Sequence, residues 1–143
     1  MAMRSVLSLG LKPPRVPSDA AKEITFPEDI TVLTPEELGY QMTVWTNLLN
    51  FADYQKTLMG NDVEIVRSKL EESVNGRVAS SKGATVAEKK ARAKSAPELQ
   101  DLREQLEHGQ AAYGLLVSFC EMYSRNYAAI SREISRRIGA PPE

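Results

Sequence analysis

Few residues in this sequence could carry out covalent chemistry, and none of them has the company that chemistry needs. His108 is the only histidine, and it stands among Glu104, Glu107 and Gln110. A metal site would need further ligands in a defined geometry, and Glu104 is merely a neighbour one helical turn away, so His108 reads as a surface side chain. Ser118 and Cys120 lack a histidine nearby in sequence that could activate them as nucleophiles. The paired acids Glu36 and Glu37, and Glu71 and Glu72, suit helix starts and helix surfaces. No glycine-rich loop is placed to cradle a phosphate. The expectation is a non-catalytic protein, with no cofactor and no metal.

Charge is more informative. Arg77, Lys82, Lys89, Lys90, Arg92 and Lys94 form a block opposed only by Glu88, and Glu98, Asp101, Glu104 and Glu107 follow at once, opposed by Arg103. With a formal net charge of -1 for the whole chain, any contact with an anionic polymer must come from such local segregation. The six cations are therefore the candidate nucleic-acid-binding residues. The competing reading pairs Lys90 and Lys94 with Glu98 and Asp101 across helix turns, where each pair contributes only about 0.2–0.5 kcal/mol. In a ring of subunits each copy would repeat the patch, and phosphate neutralisation would add across copies.

The elements that must position this block are helical. Residues 1–33 contain Pro13, Pro14, Pro17 and Pro27 among scattered apolar residues, including Val6, Leu7, Leu9, Val16, Ile24 and Phe26. That composition disfavours helix and suits an extended arm, packed on its own helices or on a neighbouring subunit. At Thr34 the sequence TPEE supplies a capping threonine, a proline at the first helical position and Glu37 at capping-box spacing. Leu38, Met42, Trp45, Leu49, Ala52, Met59, Val63, Val66 and Leu70 then recur in steps of three and four, broken only at Lys56. Gly60 and Asn61 are expected to kink this helix or leave it intact, and its end is expected between Val74 and Ser80.

Two further capping boxes, TVAE at Thr85 and SAPE at Ser95, predict a short helix over 86–94 and a second long one after it. Leu99, Leu102, Leu106, Gly109, Tyr113, Leu116, Cys120, Tyr123, Tyr127, Ile130 and Ile134 continue the same spacing. Arg132, Arg136 and Arg137 place positive charge near the end of that helix, before Gly139, Pro141 and Pro142 stop it. The expected fold is all-α: a long antiparallel helical hairpin over 34–139, its helices roughly 60 Å long, with a basic connector at about 77–95 and the arm at 1–33. Ala112, Leu115, Phe119 and Met122 add a second apolar line to one helix, and Tyr40, Leu48 and Phe51 to the other. An apolar surface wider than one seam calls for another partner, so self-association is expected through Tyr113, Leu116, Phe119, Met122 and Tyr123. Core or interface positions also suit these tyrosines better than stacking platforms for bases.

A single cysteine in an apolar stretch fits a reducing compartment, and the first residues have no continuous apolar core of the signal-peptide type. No stretch is long and apolar enough to span a bilayer, so no membrane partner is expected.

The order of features, with the run YGLLVSFC from Tyr113 to Cys120, resembles the UvsY-type recombination mediators of bacteriophages. The resemblance spans roughly 38–136 and implies a helical ring that binds single-stranded DNA without sequence preference. It further implies that such a ring helps a recombinase displace single-strand-binding protein in the host cytoplasm. The family's Lys-Ala-Arg-Leu run at the end of its first helix has no counterpart in LEESVNGRVA; a similar run, Lys90-Ala91-Arg92-Ala93, occurs later, in the connector. The alternative is a phage virion or scaffold protein whose arm clamps neighbouring subunits.

Overall fold

Thr34 opens the longest element as its sequence requires. Its hydroxyl accepts from the Glu37 amide at 3.2 Å, and the Glu37 carboxylate accepts from the Thr34 amide at 2.7 Å, so two amides of the first turn are satisfied reciprocally. In the computed structural model, which describes residues 10–139, the chain is all-α and no strand occurs among the described residues. Helix α1 is Asp19–Lys22, α2 is Pro35–Ser80, α3 is Val86–Lys94 and α4 is Gln100–Gly139, with single 3-10 turns at Ile30–Val32 and Pro97–Leu99. Gly60 and Asn61 leave α2 uninterrupted. The apolar residues Val6, Leu7 and Leu9 and the stop at Pro141 and Pro142 lie outside the described residues.

The chain divides into two compact units. Of the described residues, the first contains 10–56 and 115–139. Its core is Leu38, Val44, Trp45, Leu48 and Ile130, and Ala21, Ile24, Phe26, Ile30 and Leu33 from the proline-rich segment pack against it. That segment is an irregular strap with two short helical turns rather than a purely extended arm, because Ser18 and Asp29 each cap a turn with a side-chain oxygen. It changes which face of α2 is internal. Leu48, expected on a line outside the seam, is buried, while Leu49 on the expected seam is only half-buried. Part of the extra apolar width of α2 is thus covered by the strap within the same chain, and Tyr40 is left outside at 58% exposure.

The strap is also tied to the end of α4. Arg137 donates to the Thr31 carbonyl at 3.0 Å and, through Nε, to Glu133 at 2.8 Å, and Arg136 holds the same carboxylate with two bonds of 2.9 and 2.8 Å. Glu133 is buried, and these guanidiniums, Arg136 first and Arg137 second, hold its carboxyl down at about 2.

The second unit is Thr57–Gly114. Its core is Val74, Ala93, Ala96 and Leu99, with Leu70, Val78 and Leu102 packed on it. Close approach of α2 and α4 here depends on glycine. A Cβ at Gly109 would lie 2.9 Å from a Val63 methyl, and one at Gly60 would lie 3.2 Å from the edge of the Tyr113 ring.

Thr85 and Glu88 form the expected capping box of α3. Ser95 does not form the third one. It ends α3 instead, at φ -94 and ψ 3, outside the extended region that an N-cap occupies, and its hydroxyl donates back to the Ala91 carbonyl at 2.9 Å. Ala96 takes the N-cap position of the following turn without a side-chain bond, and Pro97 starts that turn with no amide to satisfy.

Candidate nucleic-acid interface

The basic residues are carried by the end of α2, the loop after it and α3. Arg77 lies in the last turn of α2, and its guanidinium meets the Glu98 carboxylate at 3.4 Å. Lys82 is exposed in the loop. On α3, Lys90, Arg92 and Lys94 are exposed and Lys89 is half-buried, because the helix buries Ala93 against the second-unit core. The surface pairing of Lys90 and Lys94 with Glu98 and Asp101 does not form. Among the described residues the ion pairs within 4 Å include none of Lys82, Lys89, Lys90, Arg92 or Lys94.

Arg103, which in sequence seemed only to oppose the acids around it, has a structural task. It donates to the carbonyls of Lys94 and, at 3.1 Å, of Ala96, and to the Gln100 side chain at 2.8 Å. A cation is thereby fixed at the C-terminal end of α3, where the free carbonyls concentrate negative potential.

The six cations do not form one face. Lys90 and Lys94, four residues apart, line a groove of about 530 Å³, and Lys89 and Arg92 are not part of its lining. Its apolar wall is Leu70, Val74 and Leu106. Arg103 from α4 adds a third cation to its lining, and two carboxylates, Glu71 from α2 and Glu107 from α4, with the amides of Asn75 and Gln110 complete it. Sequence inspection missed these four because only packing brings three helices together; nothing in the spacing of Glu71 and Glu107 marks them as neighbours of Lys90.

The expected subunit interface is distributed over both units. Tyr113, in the second unit, is 39% exposed and lays its ring against Gly60. In the first unit, Leu116 and Tyr123 are half-buried, whereas Phe119 and Met122 are exposed. Tyr123 stacks with Phe119 at 5.9 Å and tilts against Trp45 at 5.8 Å, so much of its surface is already used inside the chain. Burial raises the Tyr123 hydroxyl above its usual range.

Cys120 is buried beside Asp53 and Lys56, and burial pushes its thiol up, which favours the protonated form over a nucleophilic thiolate. No group of three or more potential metal ligands occurs among the described residues. None of the helices among the described residues is long and apolar enough to cross a membrane.

Comparison of the chain with protein-family models, with curated proteins and with solved structures finds no match.

Proposed function

We propose that this protein is a non-catalytic, single-stranded-DNA-binding recombination mediator that helps load a recombinase during phage recombination and repair. In this reading it works as a homo-oligomeric ring of long helical hairpins with strapped N-terminal arms, handing DNA from single-strand-binding protein to the recombinase. The observation that carries the proposal is the set of five cations, Lys82, Lys89, Lys90, Arg92 and Lys94, with no carboxylate within ion-pairing distance among the described residues. A chain with net charge -1 that leaves these charges unpaired on one short segment offers phosphates a local, unneutralised counter-charge.

The test is binding of labelled single-stranded DNA over a salt series, with the parent compared with Lys89→Ala, Lys90→Ala, Arg92→Ala and Lys94→Ala combined. Affinity of the parent should fall steeply with salt, by roughly 0.7 log units per tenfold salt for each phosphate neutralised. The combined variant should keep its helicity, since alanine is the best helix former, and lose both affinity and salt slope. Equal binding by parent and variant, or none by the parent at low salt, overturns the proposal.

Leu11 and Val16, each 60% exposed on the strap, favour the second reading, a virion or scaffold protein whose arm reaches a neighbouring subunit. Changing both to Ser should lower the assembled mass under that reading and leave DNA binding untouched.

A further inference from the structure

The groove beside α3 has a composition that phosphate binding alone does not explain. Two lysines on one helix face, with Cβ atoms about 5–6 Å apart at this spacing, suit a phosphodiester, and Arg103, held at the groove by the Lys94 and Ala96 carbonyls, adds to the positive charge there. Glu71 and Glu107 in the same groove oppose a phosphate, and Leu70, Val74 and Leu106 offer it nothing. A nucleotide unit satisfies all three sets. Its phosphate meets Lys90 and Lys94, the flat face of its base covers the leucine and valine side chains, and hydrogen-bond donors on the base edge meet the carboxylates. The groove's 530 Å³ falls within the range of about 300–1,000 Å³ typical of small-molecule sites.

We propose that the groove is a nucleotide subsite of the bound strand and prefers cytosine to thymine. The inference rests on the DNA-binding reading above and adds base selectivity to it. Cytosine presents an exocyclic amino group, N4, that donates to a carboxylate, whereas thymine presents the O4 acceptor at the corresponding place. Thymine offers the two carboxylates a single hydrogen, N3–H, flanked by the O2 and O4 acceptors, whereas the cytosine amino group offers two, so a carboxylate left facing O4 loses its water without gaining a donor. Asn75 and Gln110 can both donate and accept, so they add hydrogen bonds without selecting between the two bases.

The experiment measures fluorescence anisotropy of the full chain with labelled oligo(dC), oligo(dT), oligo(dU) and an abasic strand of the same length, at one low salt concentration and slightly alkaline pH. Oligo(dC) should bind about fivefold more tightly than oligo(dT), consistent with one base-edge contact. Oligo(dU) should follow oligo(dT), which excludes the thymine methyl group as the cause, and the abasic strand should bind most weakly. Glu71→Ala combined with Glu107→Ala should retain the helical circular dichroism, strengthen oligo(dT) binding by removing repulsion, and erase the preference for cytosine. Equal, salt-sensitive binding of all four strands overturns the subsite while leaving DNA binding in place. A cytosine preference that survives the double substitution overturns the role of the two carboxylates, and no binding of any strand at low salt overturns both readings.

Discussion

The phenyl ring of Phe26 lies 6.0 Å from the indole of Trp45, tilted by 53°. This contact joins the strap to α2, and because Trp45 is the only tryptophan it has its own optical signal. Trp45 is 2% exposed, so its emission should be that of a buried indole. Phe26→Ala removes one wall of its site and should shift the emission to longer wavelength and destabilise the fold by about 2 kcal/mol. Urea titration followed at the tryptophan tests both. Unchanged emission would show that the strap does not shield Trp45.

The tie between the strap and α4 should depend on acid. Glu133 is held at about 2, below its ordinary value of 4.5, so folding stabilises the ionised form. Its contribution is full above about pH 4.5 and is lost as the pH falls toward 2, where the folded protein binds the proton. Other carboxylates titrate in the same window, so the informative quantity is the difference between the parent and Glu133→Gln. The parent should have the higher melting temperature at neutral pH, and the gap should shrink through this window. A gap that stays constant to pH 2 would mean that the two arginines contribute nothing through the charge of Glu133.

Two helical glycines should respond oppositely to alanine. Nothing lies within 4 Å of a Cβ at Gly76, so Gly76→Ala should stabilise α2 by about 1 kcal/mol. Gly109→Ala gains the same propensity but drives a methyl to 2.9 Å from Val63, a buried β-branched residue with little rotamer freedom in a helix. Overpacking costs about 1–3 kcal/mol, so the net effect should be a loss of about 1 kcal/mol. Val63→Ala in the same chain should make Gly109→Ala favourable. Thermal unfolding of the variants decides the signs, and a stabilising Gly109→Ala on its own would deny the close approach.

These contrasts also show what the sequence could reveal. The starts at Thr34 and Thr85 were legible because a capping box is closed by residues three apart. Ser95 has the same local pattern, yet its backbone belongs to the end of α3, where its hydroxyl donates back to the Ala91 carbonyl and the guanidinium of Arg103, eight residues on, takes the flanking Lys94 and Ala96 carbonyls. Leu48 replaced Leu49 as the buried residue because the strap covers a face that periodicity alone assigns to a further partner. The basic residues of the candidate site were visible as a run of like charge. Their division into Lys90 and Lys94 inside a groove and Lys89 and Arg92 outside it was not, since it depends on which flank of a nine-residue helix meets α2 and α4.

The face of α4 formed by Leu115, Phe119 and Met122 should decide the oligomeric state. These residues are 62%, 45% and 38% exposed and recur at helical spacing, so they form one apolar stripe in the first unit. The Phe119 ring is held in place by stacking on Tyr123, so little rotamer freedom remains to be lost on association. Phe119→Glu combined with Met122→Glu should leave the monomer folded, because both side chains are largely exposed and the loss of the Phe119 stacking on Tyr123 costs only about 0.5–1.5 kcal/mol. In an assembled interface the same substitutions put two unpaired charges into apolar contact, at a cost of several kcal/mol. Light scattering should therefore show a smaller particle with unchanged circular dichroism. Tyr123 is not a suitable target for this test, because changing it also removes a wall of the Trp45 site. Unchanged mass in a folded double variant would show that subunits do not meet through this stripe.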